Sequence, residues 1–306
     1  MNDTDTPTPQ AADSPTASSN TTTSVTAPIS PDQQATPQTT PSPEAPGIES
    51  PSISAGATPK TALDLGTRAF FDDTKLTPSG GPKFVAWVDL MGTKERSKHL
   101  PRTVAINVGK LHDAAVRGCI TAKSVTPIAM GDGAYLVSAN WEPMAIALRE
   151  TLRHMALAFV YNVFESEPKY APLCRAGVAR GSVVTGADLV PGWSHGQETL
   201  HENYHKVANG VILGAAAGAA YSAEALAAPF GVAIDPSAHG MDGERVPDGQ
   251  WWRWLEKQKA LCAVRSSLVM ALTAYYDWAE KNEEDAAYAR DARERHRAQC
   301  TRYFGP

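Results

Sequence analysis

The sequence predicts an α+β fold with a disordered segment before it and a helical extension after it. Between residues 83 and 235, short apolar runs alternate with longer segments whose apolar residues recur at helical spacing. Their order is strand, helix, two strands, helix, two strands, helix, which is typical of an antiparallel-containing sheet with helices on one face. This arrangement resembles a ferredoxin-like core.

Composition divides the chain into three parts. Residues 1–65 are more than half Pro, Ser and Thr and contain no aromatic residue, so they cannot bury enough apolar surface to offset their ordering entropy. We predict a disordered segment over 1–65, a folded core domain over 66–240 and a helical extension over 241–306.

The charge balance gives no sign of a nucleic-acid or membrane partner. The first 60 residues hold six acidic residues and one lysine, which accounts for the formal net charge of -5 and leaves the remainder neutral. No run approaches the ~20 apolar residues of a membrane helix, and the first residues lack the pattern of a signal peptide. We therefore expect a cytoplasmic protein. Its four cysteines are far apart and form no Cys-x-x-Cys pair, which argues against a thiolate zinc site or a disulfide framework, and we expect them to be reduced.

The first elements of the predicted core are bounded by clear signals. An apolar run at 84–88 ends in Asp89 and predicts a buried strand, and a helix is expected from Pro101 to Gly118. Two strands at 126–130 and 133–138 then flank Asp132, which has a glycine on each side and is predicted to lie in a hairpin turn.

The later elements follow from the same patterns. A long amphipathic helix is expected over 143–164, then a strand pair at 173–179 and 182–185, an Ala-rich helix over 211–226 and a strand at 232–234. Residues 251–300 look helical, with an apolar seam that predicts packing on the chain's own core or on a partner subunit. The seam is formed by Trp254, Leu261, Val264, Leu268, Leu272 and Tyr275.

Two acidic residues are the most informative feature of the sequence. Asp89 and Asp132 each stand at the end of an apolar strand beside a glycine. Taken singly, each is an ordinary loop or turn acid. Two carboxylates at neighbouring strand ends, however, suit a pair of Mg²⁺ or Mn²⁺ ions, because these cations take oxygen ligands and also hold substrate phosphates.

Three segments, in this order, resemble the class III nucleotidyl cyclases. That family carries one metal acid in a Phe-x-Asp-Ile-x-Gly-Phe type stretch and another in a Gly-Asp hairpin, and the counterparts here are WVDLMGT at 87–93 and MGDGAY at 130–135. A third segment, LCRAGVARGSVVTG at 173–186, is similar to the family's Arg-x-Gly-x-x-x-Gly-x-x-x-x-Gly strand pair. The resemblance covers about half of the chain.

The resemblance implies two-metal catalysis with Mn²⁺ or Mg²⁺. Asp89, Asp132 and the backbone carbonyl of Leu90 would bind the ions, one activating the ribose 3′-hydroxyl for attack on the α-phosphorus and the other holding the triphosphate. The nearby amides would contact the phosphates. The residues expected to supply those amides are Met91, Gly92 and Thr93.

Other side chains near these motifs have two readings each. Lys94, Arg96 and Lys98 are either phosphate contacts or a solvated charged face. Trp87 shares a strand face with Asp89 and is expected either to pack in the core or to border the base pocket. Arg180, or alternatively Arg175, is expected to place positive charge on the transferring phosphate, the alternative for Arg175 being a structural role.

The sequence departs from the purine cyclases at their base-selecting and transition-state positions. Those enzymes carry a Lys or Glu four residues before the second metal acid, where this chain has Ile128. They also place an Asn and an Arg on the helix after the last motif hairpin, at positions that match Gly218 and Ser222 here. Neither role can be carried over.

Residues 214–224, GAAAGAAYSAE, instead resemble the Gly-x-Ala-x-x-x-Ala-Tyr-x-x-Glu pattern of the Pycsar pyrimidine cyclases of bacterial anti-phage defence. This resemblance implies conversion of UTP, or less readily CTP, to the 3′,5′-cyclic monophosphate. It also implies a homodimer with active sites at the interface and a separate effector protein that the product activates. A purine cyclase and a non-catalytic nucleotide-binding module of the cyclase fold are the alternatives.

A competing motif points to zinc. The sequence HENYH at 201–205 matches His-Glu-x-x-His, in which two histidines one helical turn apart bind zinc and the glutamate activates water. Glu224 stands where some such enzymes keep a third ligand. The motif requires a largely buried helix, whereas this segment has few apolar positions, so we expect an exposed loop.

Overall fold

The computed structural model describes residues 73–76, 80–193, 198–238, 251–256, 259–286 and 288–305. The predicted disordered segment at 1–65 lies outside these residues, as does the stretch 239–250 in which the helical extension is predicted to begin. All described residues belong to one compact unit, Thr58–Pro306. The boundaries predicted at 65 and 240 stay predictions.

Seven strands and nine helices are formed by the described residues. The strands are β1 (Lys83–Leu90), β2 (Thr126–Met130), β3 (Gly133–Ser138), β4 (Cys174–Gly181), β5 (Val184–Thr185), β6 (Ile212–Leu213) and β7 (Val232–Ile234). The helices are α1 (Thr93–His99), α2 (Pro101–Ala122), α3 (Trp141–Glu165), α4 (Gly186–Leu189), α5 (Glu198–Ala208), α6 (Ala215–Glu224), α7 (Cys262–Lys281), α8 (Glu283–Ala286) and α9 (Arg290–Phe304).

The main sheet has the order β2-β3-β1-β4-β7, with β1 at its centre. β1 pairs antiparallel with both β3 and β4, and β7 joins the far edge parallel to β4. The predicted α+β class is confirmed, and the two strands around Asp132 have the predicted bounds. β5 differs from the prediction, because it pairs with β6 in a separate two-stranded sheet and not with β4.

The two faces of the sheet are covered by different helices. Along β1, Phe84 and Val88 face the main core, which is completed by α2, α3 and α7. Val85 and Trp87 point the other way, into a smaller core shared with Ala220 of α6. α6 therefore departs from the predicted arrangement with helices on one face, and it is this second face that carries the candidate site.

α6 lies unusually close to the sheet because of a glycine on β4. A Cβ atom placed on Gly177 would lie 2.1 Å from the carbonyl oxygen of Ala220 and 2.3 Å from the backbone nitrogen of Glu224. Only glycine, which has no side chain, permits backbone to approach backbone at this distance. The close approach brings the end of α6 to the strand end at which the acidic residues lie.

The C-terminal helices pack on the core, as one of the two predicted readings of their apolar seam requires. Leu268, Leu272 and Tyr275 of α7 are buried, and the Tyr275 ring lies 5.6 Å from that of Phe159 on α3. One boundary differs from the prediction, since α2 continues past Gly118 to Ala122, where α3 packs against it. None of the described helices is both long and apolar enough to span a bilayer.

Candidate active site

Asp89 and Asp132 meet at one end of the sheet. Asp89 is the penultimate residue of β1 and pairs across the sheet with Gly133, the residue next to Asp132. The backbone N–H of Leu90 donates to the carbonyl oxygen of Asp132 at 3.3 Å. The strand register therefore brings together the two carboxylates that the sequence singles out.

The electrostatics of this corner are set by a surplus of acid. The pKa of the Asp89 carboxyl is raised to about 7, first by burial and then by the negative charges of Glu224 and Asp132, while Arg175 lowers it. Carboxylates held together in a poorly solvated place destabilise one another's charged forms. A divalent cation would relieve this repulsion, and the carboxylate oxygens of Asp89 and Asp132 are the kind of ligand that Mg²⁺ or Mn²⁺ takes.

Thr93 fixes the orientation of the second acid. Its hydroxyl Oγ1 donates a hydrogen bond to Oδ2 of Asp132. Gly92 makes this contact possible, because its left-handed φ of 75° turns the chain from β1 into α1, which begins at Thr93. The backbone N–H of Met91 donates to the carbonyl oxygen of Leu173 at 2.9 Å and so already has an acceptor. Of the three predicted phosphate-binding amides, that of Met91 is thus engaged within the fold.

Arg175 and Glu224 form an ion pair beside the carboxylates. Arg175 lies opposite Asp89 in the register of β1 and β4, and its Nε donates to Oε1 of Glu224. Only 18% of the Arg175 side chain and 7% of that of Glu224 are exposed. Burial raises the pKa of Glu224, and the charge and hydrogen bond of Arg175 act against this.

Glu224 lies at the site, although the sequence patterns that include it predict other roles. It stands in the pattern that resembles the pyrimidine cyclases, and it also suggests a third zinc ligand. Neither reading places it next to Asp89, from which it is 135 positions away in the sequence. Its place becomes evident only from the close approach of α6 to Gly177, which brings it to Arg175 on the same face of β4.

Arg180 lies away from the carboxylates. It is five residues beyond Arg175 on β4, which separates the two by roughly 17 Å, and it pairs with Phe84 at the opposite end of β1. An odd separation also places the two arginines on opposite faces of the strand. The Arg180 guanidinium lies over the Phe84 ring, 5.1 Å from its centroid. Within one chain, it is Arg175 and not Arg180 that accompanies the acids.

Trp87 lies on the same face as Asp89 and is nearly buried, with 4% of its surface exposed. Its ring packs on Tyr135 at 4.4 Å and on Tyr221 at 5.9 Å between centroids. Tyr221 projects from α6 and is 59% exposed. Trp87 thus packs in the smaller core, at the base of an aromatic cluster that reaches the surface next to the acidic corner.

The charged residues of α1 separate into two groups. Lys98 is exposed and pairs with Glu95 one helical turn away. Arg96 is buried, and its Nη1 donates to the carbonyl oxygen of Ala171 at 2.9 Å. Arg96 is therefore neither part of a solvated face nor a contact for phosphate, and both sequence readings are wrong for it.

The His-Glu-x-x-His segment is helical. It forms part of α5, so the prediction of a loop is wrong. The helix has few apolar residues, and one of its tertiary contacts is the stacking of Tyr204 on Trp193 at 5.3 Å between ring centroids. The side chains of His201 and Glu202 lie outside the described residues. Among the side chains that are described, no group of three or more His, Cys, Asp or Glu is placed to hold a metal.

Comparisons with known proteins find similar folds at low identity. No protein-family model and no curated protein matches the chain. Similar solved structures include the guanylyl cyclase Cya2, 17% identical with a TM-score of 0.36 over 50% of this chain and 74% of that chain. The guanylyl cyclase domain of the RhoGC fusion protein from the aquatic fungus Blastocladiella emersonii is 15% identical, with a TM-score of 0.37 over 52% and 81%. An adenylate cyclase from Trypanosoma brucei is 12% identical, with a TM-score of 0.36 over 52% and 74%. Similarity at this level assigns no activity to the chain.

Proposed function

We propose that this chain is a nucleotidyl cyclase that converts a nucleoside triphosphate to its 3′,5′-cyclic monophosphate and pyrophosphate. The observation that carries the proposal is the convergence of Asp89 and Asp132 at adjoining strand ends. The raised pKa of Asp89 supports it, because such crowding of acids is typical of functional sites. The motif resemblance of residues 87–93, 130–135 and 173–186 points to the same chemistry.

The roles of the residues follow from their positions. Two divalent cations, when bound, would activate the ribose 3′-hydroxyl and neutralise charge on the triphosphate. Asp89, Asp132 and the carbonyl of Leu90 would hold them. Thr93 keeps Asp132 oriented through its hydroxyl. Arg175, which pairs with Asp89 across the sheet and is held by Glu224, would contact a phosphate of the substrate.

We further propose a pyrimidine substrate, UTP before CTP. Ile128 is buried and apolar at the position where purine cyclases carry a base-selecting Lys or Glu. Gly218 and Ser222, which replace the purine enzymes' Asn and Arg, are both exposed on α6. The pattern at residues 214–224 is the positive feature in favour of a pyrimidine cyclase.

The remaining biology rests on the same resemblance. We propose a homodimer with active sites at the interface, whose cyclic product acts on a separate effector during antiviral defence. Tyr221 on α6 and Leu226 just after it are each more than half exposed, close to the acidic corner. A second subunit that covered this apolar face would complete the nucleotide site.

The test is to incubate the purified chain with each of the four triphosphates and Mn²⁺ or Mg²⁺, and to identify products by mass spectrometry. We expect cyclic UMP or cyclic CMP, and no product from Asp132→Ala. Asp113→Ala is the matched control, because Asp113 is an exposed acid on α2 that pairs only with Arg117 among the described residues. It should retain full activity.

Each of the other outcomes would favour a different function for the chain. A cyclic purine product would replace the pyrimidine assignment with a purine cyclase. Binding of a triphosphate without turnover would favour a non-catalytic module, which the exposed Gly218 and Ser222 make the second candidate, since neither side chain can stabilise charge in the transition state. Equal activity of Asp132→Ala and the wild type would refute the cyclase proposal.

A further inference from the structure

Arg96, which follows the turn at residues 90–93, is buried and donates hydrogen bonds within the fold. Arg96 is only 6% exposed. Its Nη1 donates to the carbonyl oxygen of Ala171 at 2.9 Å, and its Nη2 donates to that of Lys169. The guanidinium is thus committed to backbone acceptors, and hydrogen bonds from an ionised donor are the stronger kind.

The acceptors belong to one segment, residues 169–173, here named the strap. It contains the end of a 3₁₀ turn, Pro168–Tyr170, and leads directly into β4. Asn107 of α2 donates from Nδ2 to the carbonyl oxygen of Tyr170 at 3.3 Å. The N–H of Met91 donates to the carbonyl oxygen of Leu173 at 2.9 Å.

Residues between 91 and 107 therefore donate hydrogen bonds to four carbonyl oxygens of the strap. Two are bound by Arg96, one by Asn107 and one by the backbone of Met91. On one side the strap continues into the strand of Arg175, and on the other its donors flank the turn that carries Leu90 and Thr93. This set of bonds links the Asp89 side of the site to the Arg175 side.

Arg96 and Asn107 each have one further buried polar atom in the same region. Nε of Arg96 and Oδ1 of Asn107 are buried and have no hydrogen-bond partner among the described residues. Both side chains line one small cavity with Leu90, Met91 and Thr93, of about 10 Å³. This volume admits about one water molecule, and a water there could accept from Nε and donate to Oδ1.

The charge of Arg96 also acts on the C-terminal extension. Tyr275 of α7 is 1% exposed, and burial raises the pKa of its hydroxyl, while the positive charges of Arg96 and Arg293 act in the opposite direction. Because Arg96 is itself buried and its guanidinium donates to the strap, it is not free to contact a substrate phosphate.

We propose that Arg96 and Asn107 are positioning residues, which hold the turn at residues 90–93 at a fixed distance from Arg175 through the strap. The proposal rests on the cyclase activity proposed above for its catalytic consequence. Neither residue touches substrate. They act by keeping the metal-binding turn and the phosphate-facing arginine in register, and a displacement of about 1 Å in such a site can lower turnover about 100-fold.

The experiment compares Arg96→Met with Arg96→Lys and with Lys98→Met, an exposed cation on the same helix. The first readout is amide hydrogen exchange of residues 84–100 and 167–175 in the ligand-free protein. The second is kcat and KM for whichever triphosphate the wild type converts. We expect Arg96→Met to exchange faster in both segments and to lose kcat about 10- to 100-fold, with KM changed less than about twofold.

The conservative variant separates positioning from simple loss of stability. Arg96→Lys keeps the charge and can donate to two carbonyls, so it should recover part of the exchange protection and part of the lost kcat. Lys98→Met should match the wild type in every readout. If Arg96→Met does not fold, Asn107→Ser is measured in its place, with the same direction of change expected.

Two results would overturn the proposal. One is an increase in KM with exchange and kcat unchanged, which is the behaviour of a direct phosphate contact. The other is an Arg96→Met protein that exchanges no faster than Lys98→Met. If the wild type converts no triphosphate at all, the proposed function fails, but the exchange comparison still decides whether Arg96 holds the strap.

Discussion

Replacing Gly177 by alanine tests whether the close approach of α6 builds the site. The new Cβ would lie 2.1 Å from the carbonyl oxygen of Ala220 and 2.3 Å from the nitrogen of Glu224. Ordinary contacts need about 3.5 Å, and both obstacles are backbone atoms that cannot rotate away. The end of α6 must therefore move by about 1 Å, and Glu224 moves with it, away from Arg175.

The magnitude follows from two opposing effects. Overpacking a close contact destabilises a fold by about 1–3 kcal/mol, and the reduced freedom of alanine in the unfolded chain offsets this by about 0.4–1 kcal/mol. We expect a net loss of about 1–2 kcal/mol, which lowers the Tm of a chain of this size by about 2–8 °C. The displaced Arg175–Glu224 pair should lower kcat about 10-fold or more.

The assay is a thermal melt together with cyclase turnover, and the matched control is Gly218→Ala. Gly218 lies on the same helix, but a Cβ there would meet no atom within 4 Å. Alanine is favoured over glycine in a helix by about 0.5–1 kcal/mol, so this variant should melt slightly higher than the wild type. A Gly177→Ala protein that is as stable and as active as Gly218→Ala would refute the packing that we describe.

Two further predictions concern protonation. Glu224→Gln removes a carboxylate charge that raises the pKa of Asp89 more than the charge of Asp132 does, so the pKa of Asp89 should fall. In the wild type, protons should compete with Mn²⁺ for Asp89 below about pH 7. Mn²⁺ binding, measured by calorimetry from pH 5.5 to 8, should therefore begin to weaken at a lower pH in the variant than in the wild type. Identical profiles would contradict this. Burial is the main cause that lowers the pKa of His296 to about 4 in the folded protein. Between about pH 6.5 and 4 the unfolded chain therefore binds a proton at His296 that the folded chain does not, and the free energy of unfolding decreases as the pH decreases. Urea unfolding at pH 7 and pH 5 should show a smaller difference for His296→Gln than for the wild type, and an equal difference would rule out His296 as the cause.

The parts of the fold that were predictable are those determined by local chemistry. The strand ending at Asp89 and the hairpin around Asp132 follow from an apolar run and from glycines in sequence, and the structure has both. Their meeting in space is a matter of register, which the three ordered motifs suggested. The helical state of α5 was missed because the small number of its apolar residues was taken to indicate a loop, whereas tertiary contacts such as that of Tyr204 on Trp193 support the helix.

The features of the site that the sequence leaves open share a physical origin. Choosing Arg175 over Arg180 requires knowing which strand end and which sheet face each occupies, and both come from the pairing of β4 with β1. The Arg175–Glu224 pair joins residues 49 positions apart. Arg96 reads as a surface charge from its neighbours Lys94 and Lys98, because the carbonyl oxygens that accept its hydrogen bonds carry no side-chain signature.

The two acids have unequal mechanical support. Asp89 is on the central strand, flanked on both sides by hydrogen-bonded neighbours, whereas Asp132 hangs on a hairpin whose outer member, β2, forms the rim of the sheet. An ion bound by both acids would connect the edge of the sheet to its central strand. Chelation of that ion should therefore loosen the edge of the sheet first, while the centre of the sheet stays folded.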